Sequence, residues 1–197
     1  MGAGRQREFD KQVALEAAMK VFWANGYSGT SLSDLTDVMG INKPSLYAAF
    51  GNKEALFISA LDHYMGEHGA SHNQELHASK KNLRSRLRAY LKSIARMVCD
   101  PSLPGGCFVA TTTSESGGDC LPANASQAIA RINQLTHDSL VDFFRREISA
   151  GNLANGTSPE NLADYLLALQ FGLGVMGRNG TDLDTLDRVI ECAVSKV

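Results

Sequence analysis

The sequence predicts an all-α fold of about nine helices, divided into a small N-terminal head (residues 1–66) and a larger helical domain (residues 67–197). Three observations carry this. Apolar residues recur at three- and four-residue spacing along most of the chain, with no strand-like alternation of any length. The periodic segments are punctuated by Ser, Asp and Asn before them and by Gly after them, the chemistry of helix ends. Apolar residues make up 44% of the 197, enough for a real core.

The first helix is expected from about Asp10 to Asn25, with Asp10 as N-cap and Gly26 as terminator. Val13, Ala17, Val21 and Ala24 mark its apolar spacing, and Tyr27 should fold back onto it. The second starts near Leu32 behind Ser31, with Asp34 completing a variant of the capping box. Leu35 and Val38 are expected to face inward, and Gly40 closes the helix in a tight turn. The third follows Asn42, tolerates Pro44 in its first turn, and ends near Phe50. The fourth begins after Asn52 and carries the stripe Leu56, Phe57, Ala60, Leu61 and Tyr64.

Beyond this, Gly66–Ser79 turns polar and reads as the tail of the fourth helix plus a linker. A helix is expected over Lys80–Cys99. Asp100–Pro122 holds three prolines and four glycines and reads as loop, with a short helix over Gly106–Ser114. Long helices follow over Ala123–Ser149, Pro159–Gly177 and Leu183–Val197. In the second of these, Gly172, Gly174 and Gly177 are small enough for close helix approach.

Two short helices around the turn Val38-Met39-Gly40-Ile41 form the layout of a helix-turn-helix. On the third helix, Leu46 and Phe50 share a buried face. Ser45, Ala48, Tyr47 and Lys43 lie elsewhere, giving a small, polar and basic outer side. A helix entering a DNA groove needs such a side. Thr30 and Ser31 stand at a helix N-terminus that can hold a phosphate. Lys53 is placed to grip the next one, and Arg5 and Arg7 precede the first helix on an arm. Charge alone does not decide the matter. The formal net charge is −2, and residues 1–53 hold six Lys or Arg against five Asp or Glu.

Residues 9–61 closely resemble the N-terminal domain of the TetR family of transcriptional regulators. The matching words are AMKVFWANGY (Ala18–Tyr27), TSLSDLTDVMGI (Thr30–Ile41), SLYAAF (Ser45–Phe50) and NKEALF (Asn52–Phe57). The resemblance implies a homodimer bound to a double-stranded, palindromic DNA operator, with the C-terminal domain binding a small-molecule effector and forming the dimer. It implies that Thr30, Lys43, Ser45, Tyr47 and Lys53 lie at the DNA surface. Pro44 departs from the small or polar residue the family often carries there. The regulator is expected to be a repressor, with an activator as the alternative.

Pro104-Gly105-Gly106-Cys107-Phe108, together with the GRQREFD opening, is similar to a subgroup of that family in which some members sense electrophiles, aldehydes or oxidants through a cysteine. Cys107 stands at an expected helix start, where free amides and the helix dipole favour thiolate. The residues leave two readings open, a reactive thiol and a buried small hydrophobe. Cys120 could approach it. A thiol enzyme would use Cys107 with His137 as base, but no third orienting group is evident, and no catalytic residue is assigned.

No cofactor and no metal are expected. His63, His68, His72 and His77 have suggestive spacing, but isolated carboxylates and no cysteine complete no ligand set. The run Lys80, Lys81, Arg84, Arg86, Arg88, Lys92 and Arg96 is expected to be a solvated helix face. The opening MGAGRQREFD lacks the apolar core of an export signal and no segment is long enough to span a membrane, so a cytoplasmic location is expected.

Overall fold

A computed structural model describes residues 9–78, 81–118 and 120–195. The expected helices are present, and no strand occurs among the described residues. Helix α1 runs Lys11–Asn25, α2 Leu32–Met39, α3 Lys43–Phe50 and α4 Lys53–Tyr64. Each starts on a side-chain cap. Asp10 accepts from the amides of Gln12 and Val13, and Ser31 and Asp34 cap each other's backbone in a full capping box. Asn42 accepts from Ser45 and Asn52 from Ala55. These side chains satisfy amides that the helix leaves orphaned. Gly40 ends α2 at φ +64°, where a side chain would be strained.

The body follows. Helix α5 spans Ala70–Leu76, α6 Leu83–Val98, α7 Phe108–Glu115, α8 Ala123–Ser149, α9 Pro159–Arg178 and α10 Leu183–Val194. In the head α1 packs on α2 and α4; in the body α8 packs on α9, and α6 on α5, α9 and α10.

Three expectations need correction. First, residues 66–76 are not linker. Helix α4 passes through a π-helical turn, Met65–Gly69, straight into α5. The polar composition belongs to an outer face, while Leu76 is buried and His68 meets Trp23 edge-on and Tyr64 at a tilt. Second, Val13 and Val38 are exposed, at 66% and 50%. The buried face of α1 is instead Ala14, Ala18, Met19, Phe22 and Trp23, and that of α2 is Leu35, Thr36 and Met39. Third, the basic run on α6 is not simply solvated. Arg86 is buried and paired with Glu147, Arg88 bonds Glu191, and Lys92 bonds Asp187. These pairs tie α6 to α8 and α10. Arg5, Arg7 and Lys80 lie outside the described residues.

One apolar cluster runs from the head into the body. It contains Phe22, Trp23, Leu46, Phe57 and Tyr64 together with Phe108 of α7 and Ile129 and Ile132 of α8. Phe57 is fully buried at its centre and meets Phe22, Tyr27 and Phe108 edge-on. A second cluster, built on α6 and the buried faces of α8, α9 and α10, holds the rest of the body. Gly174 and Gly177 permit the tight seating of α9. A Cβ on Gly174 would come 2.9 Å from that of Cys107, and one on Gly177 would come 2.7 Å from Val98. Gly172 has nothing close to it.

Replacing Phe57 with Ala should cost about 3–5 kcal/mol, the range for emptying a buried aromatic site. Urea unfolding of the variant beside the parent protein measures this directly.

Candidate functional site

The outer face of α3 carries Lys43, Pro44, Tyr47 and Ala48, all exposed. One amine, one phenol and two small apolar groups make a low ridge that fits a major groove. Ser45 and Thr30 do not join it, against expectation. Ser45 is buried, because it points with Leu46 toward the core of the head. Thr30 is only 2% exposed, and its hydroxyl donates to the Gly26 carbonyl at 2.7 Å. Ser31 is exposed, but its oxygen accepts the Asp34 amide.

Lys53, at the first turn of α4, holds its ammonium 4.1 Å from the centre of the Tyr27 ring. Burial pushes this lysine below its ordinary value, while Glu115 and Asp34 pull the other way. A partly desolvated cation of this kind interacts more strongly with an arriving phosphate than a fully hydrated one.

Behind the head lies a cavity of about 500 Å3. It is walled by α4, the π-turn and α5 on one side and by α6, α8 and α9 on the others, with Cys107 at the start of α7. Cys107 is half-buried as the N-cap residue of α7, and the Tyr64 hydroxyl donates to its Sγ at 3.4 Å. Cys120 is exposed on the loop after α7 and does not line this cavity; all four thiols are free. His137 does not face Cys107 either. Its Nε2 lies 3.1 Å from Asp164 of α9.

The cavity interior is neutral. Burial raises the phenols of Tyr64 and Tyr90 above their ordinary range. His72 is pushed down to about 4, chiefly by burial and then by His68 and Arg96. Its tautomer follows from its neighbours. The Ser93 hydroxyl donates to the Tyr90 carbonyl, so it accepts from His72 Nδ1 at 2.8 Å. Nδ1 therefore carries the proton and Nε2 is a bare acceptor. Apart from the Asp62–Arg131 ion pair, which is open to solvent, the wall carries no Lys, Arg, Asp or Glu. Among the described residues no group of three or more His, Cys, Asp or Glu side chains is placed to hold a metal ion. No helix of these residues is long and apolar enough to cross a membrane.

Sequence reasoning missed the residues joining head and body. Glu115 accepts the Tyr27 amide at 2.9 Å, and Arg178 donates to the Trp23 and Ala24 carbonyls. Glu54 accepts the amides of Asn124 and Ala125 at the start of α8. Nothing local announces such contacts, since the partners stand 70 to 155 positions apart.

A small capped helix-turn-helix head on a helical body with a partly open, largely apolar cavity is the layout of a DNA-binding regulator. The comparisons narrow this. Residues 14–60 match the bacterial regulatory proteins of the tetR family, and residues 84–193 match the tetracyclin repressor-like C-terminal domain. The HTH-type transcriptional repressor ComR of Escherichia coli (strain K12) is 34% identical, over 94% of this chain and 88% of its own length. The uncharacterized HTH-type transcriptional regulator YezE of Bacillus subtilis (strain 168) is 29% identical over 98% of each chain. A cysteine mutant of the TetR family transcriptional regulator CifR, solved with 26-bp double-strand operator DNA, is 35% identical. It matches with a TM-score of 0.86 over 97% of this chain and 98% of that one. The chain belongs to the TetR family.

The His72 environment sets a pH dependence. Its folded value, about 4, lies below the ordinary 6.5, so the unfolded chain binds the proton more readily between them. The stability this imidazole contributes is complete above pH 6.5 and is lost as pH falls toward 4. His72→Gln should remove about 2 kcal/mol from the stability difference between pH 7.5 and pH 5, read by urea unfolding at both.

Proposed function

We propose that this protein is a cytoplasmic, homodimeric repressor whose grip on a double-stranded, palindromic operator is released by a small, neutral electrophile that reaches Cys107. Residues 1–66 act as the reading head and 67–197 as the effector-binding and dimerisation domain. The observation that carries the reading is the position of the Cys107 thiol. It lines a neutral, largely apolar cavity and touches Tyr64, the last residue of the helix that follows the reader. A charged effector would lose its hydration there without compensation. An uncharged electrophile suits the wall, and addition is self-contained. The Sγ–C bond forms, and the thiol proton passes to the opened electrophile. That a CifR with three cysteines replaced has been solved on 26-bp operator DNA fits a thiol that serves the response and not DNA binding itself.

On the DNA side, Lys43, Tyr47 and Lys53 are the contacts the exposed face supports, with Ser31 at the α2 start and Arg5 and Arg7 ahead of α1. Thr30 supports them from inside by holding the Gly26 turn. Exposed Tyr165 and Val175 on α9 offer apolar surface for a partner subunit. The chain's role is binding, not catalysis: Cys107 has a phenol beside it, and the nearby imidazoles of His72 and His137 bond Ser93 and Asp164.

A gel-shift assay against the intergenic DNA upstream of its own reading frame tests the reading. The Tyr47→Ala/Lys53→Ala variant should stay folded and lose the shift. Lys53→Ala alone should lower the slope of log affinity against log salt by about 1, the loss of one phosphate contact. Undiminished binding by both would overturn the assignment of this face.

Cys107→Ser should bind the same DNA with unchanged affinity and no longer release it when N-ethylmaleimide is added. Release that persists in the variant would remove Cys107 from the mechanism.

A further inference from the structure

The end of α1 is held by opposite charges from two different helices of the body. Arg178, the last residue of α9, donates to the Trp23 carbonyl at 3.0 Å and the Ala24 carbonyl at 2.6 Å. These belong to the last turn of α1, where carbonyls lack helical partners and the dipole favours a cation. Glu115, the last residue of α7, accepts the Tyr27 amide at 2.9 Å. Its carboxylate closes over Gly26, so that a Cβ there would collide with it, and Gly26 itself sits at φ +72°. The grip falls on the turn that feeds α2. That turn also carries the Thr30 hydroxyl bond to Gly26 and the Tyr27 ring under Lys53.

Both helices also meet at Cys107, α7 at its start and α9 one turn before Arg178. Helix α7 begins at Phe108, directly after it, about 12 Å from Glu115 at the rise of an α-helix. On α9, Gly174 lies one turn before Arg178 and packs so closely that its Cβ, if it had one, would come 2.9 Å from that of Cys107. A Cβ on Gly106 would come 2.8 Å from that of Arg178. Cys107 is thus wedged between the roots of two short levers, and both tips hold the same turn of the head. Cys107 also lines the cavity, so a group added at its Sγ displaces α7, α9 or both as far as the cavity and Tyr64 do not accommodate it.

We infer that Glu115 and Arg178 are positioning residues: they set the register of the reading head on the body, and occupancy at Cys107 acts on the head through them. This rests on the reading of Cys107 given above. Glu54 provides the internal contrast. It also joins head to body, through the amides that open α8, but its partners belong to neither α7 nor α9.

The test uses full-length protein carrying Cys99→Ala, Cys120→Ser and Cys192→Ser, so that N-ethylmaleimide reaches Cys107 alone. Two quantities are read before and after labelling: operator affinity, and hydrogen exchange over residues 26–30. Labelling the parent should weaken operator binding at least about tenfold, within the usual span of allosteric coupling, and should speed exchange at the Tyr27 amide. In Glu115→Ala/Arg178→Ala, exchange should be fast already, and labelling should change affinity by less than about twofold. Glu115→Gln and Arg178→Lys serve if the double variant unfolds, and should lie between. Glu54→Ala should bind more weakly yet keep the full response to labelling. An equal labelling response in the double variant and the parent overturns the inference and leaves the proposed function standing. So does a response lost equally in Glu54→Ala. Faster exchange in the labelled parent with unchanged operator affinity supports the link and overturns release through Cys107. No change in either quantity overturns both.

Discussion

The aromatic seam between head and body is the interaction on which the rest depends. Phe22, Trp23, Tyr27, Phe57, Tyr64 and Phe108 meet ring to ring, mostly edge-on, in one continuous cluster. Helices α2 and α3 have eight residues each, well short of what is stable alone in water. Their stability comes from packing on α1 and α4, and α1 and α4 in turn bury their faces against α7 and α8. The head is therefore not a free module on a tether. Its orientation is fixed by the same burial that stabilises it, and a shift of Phe108 reaches Phe57 and Tyr64 without an intermediary.

Charge is distributed to suit this arrangement. Three of the basic residues on α6, Arg86, Arg88 and Lys92, are committed to Glu147, Asp187 and Glu191. The face proposed for DNA is local, a few groups around α3 and the start of α4. That accounts for a regulator with a formal net charge of −2. Whole-chain charge measures solubility and long-range steering; a groove needs only a few placed contacts.

The sequence made the helix ends legible because caps are local chemistry. Asp10, Ser31, Asn42 and Asn52 each cap the helix expected of them. Orientation was less legible. On a helix as short as α3, Ser45 sits beside Leu46 and shares its burial, although its chemistry suits an outer face. Thr30 was legible as a residue at the α2 start but not as an inward one, because its hydroxyl finds a carbonyl four positions back. The segment 66–76 misled for a different reason: polarity marks an exposed face as readily as a linker, and the edge-on contact of His68 with Trp23 and the burial of Leu76 separate the two. Contacts such as that of Arg178 with Trp23 depend on tertiary placement, which no local spacing encodes.

The π-turn shows how head and cavity are made to share one helix. An α-helix repeats its faces every 3.6 residues, so a continuous α4–α5 would carry one register from end to end. A π-turn widens the coil locally and rotates the faces that follow; such turns concentrate at functional sites. Here the register before it puts Leu56, Phe57, Ala60, Leu61 and Tyr64 into the head's core. The register after it brings His72 to the cavity wall and Leu76 into the core of the body. Tyr64 stands at the changeover, with its ring against Trp23 and Phe108 and its hydroxyl on Cys107. A single helix thus serves two packing problems, and the residue at its discontinuity belongs to both.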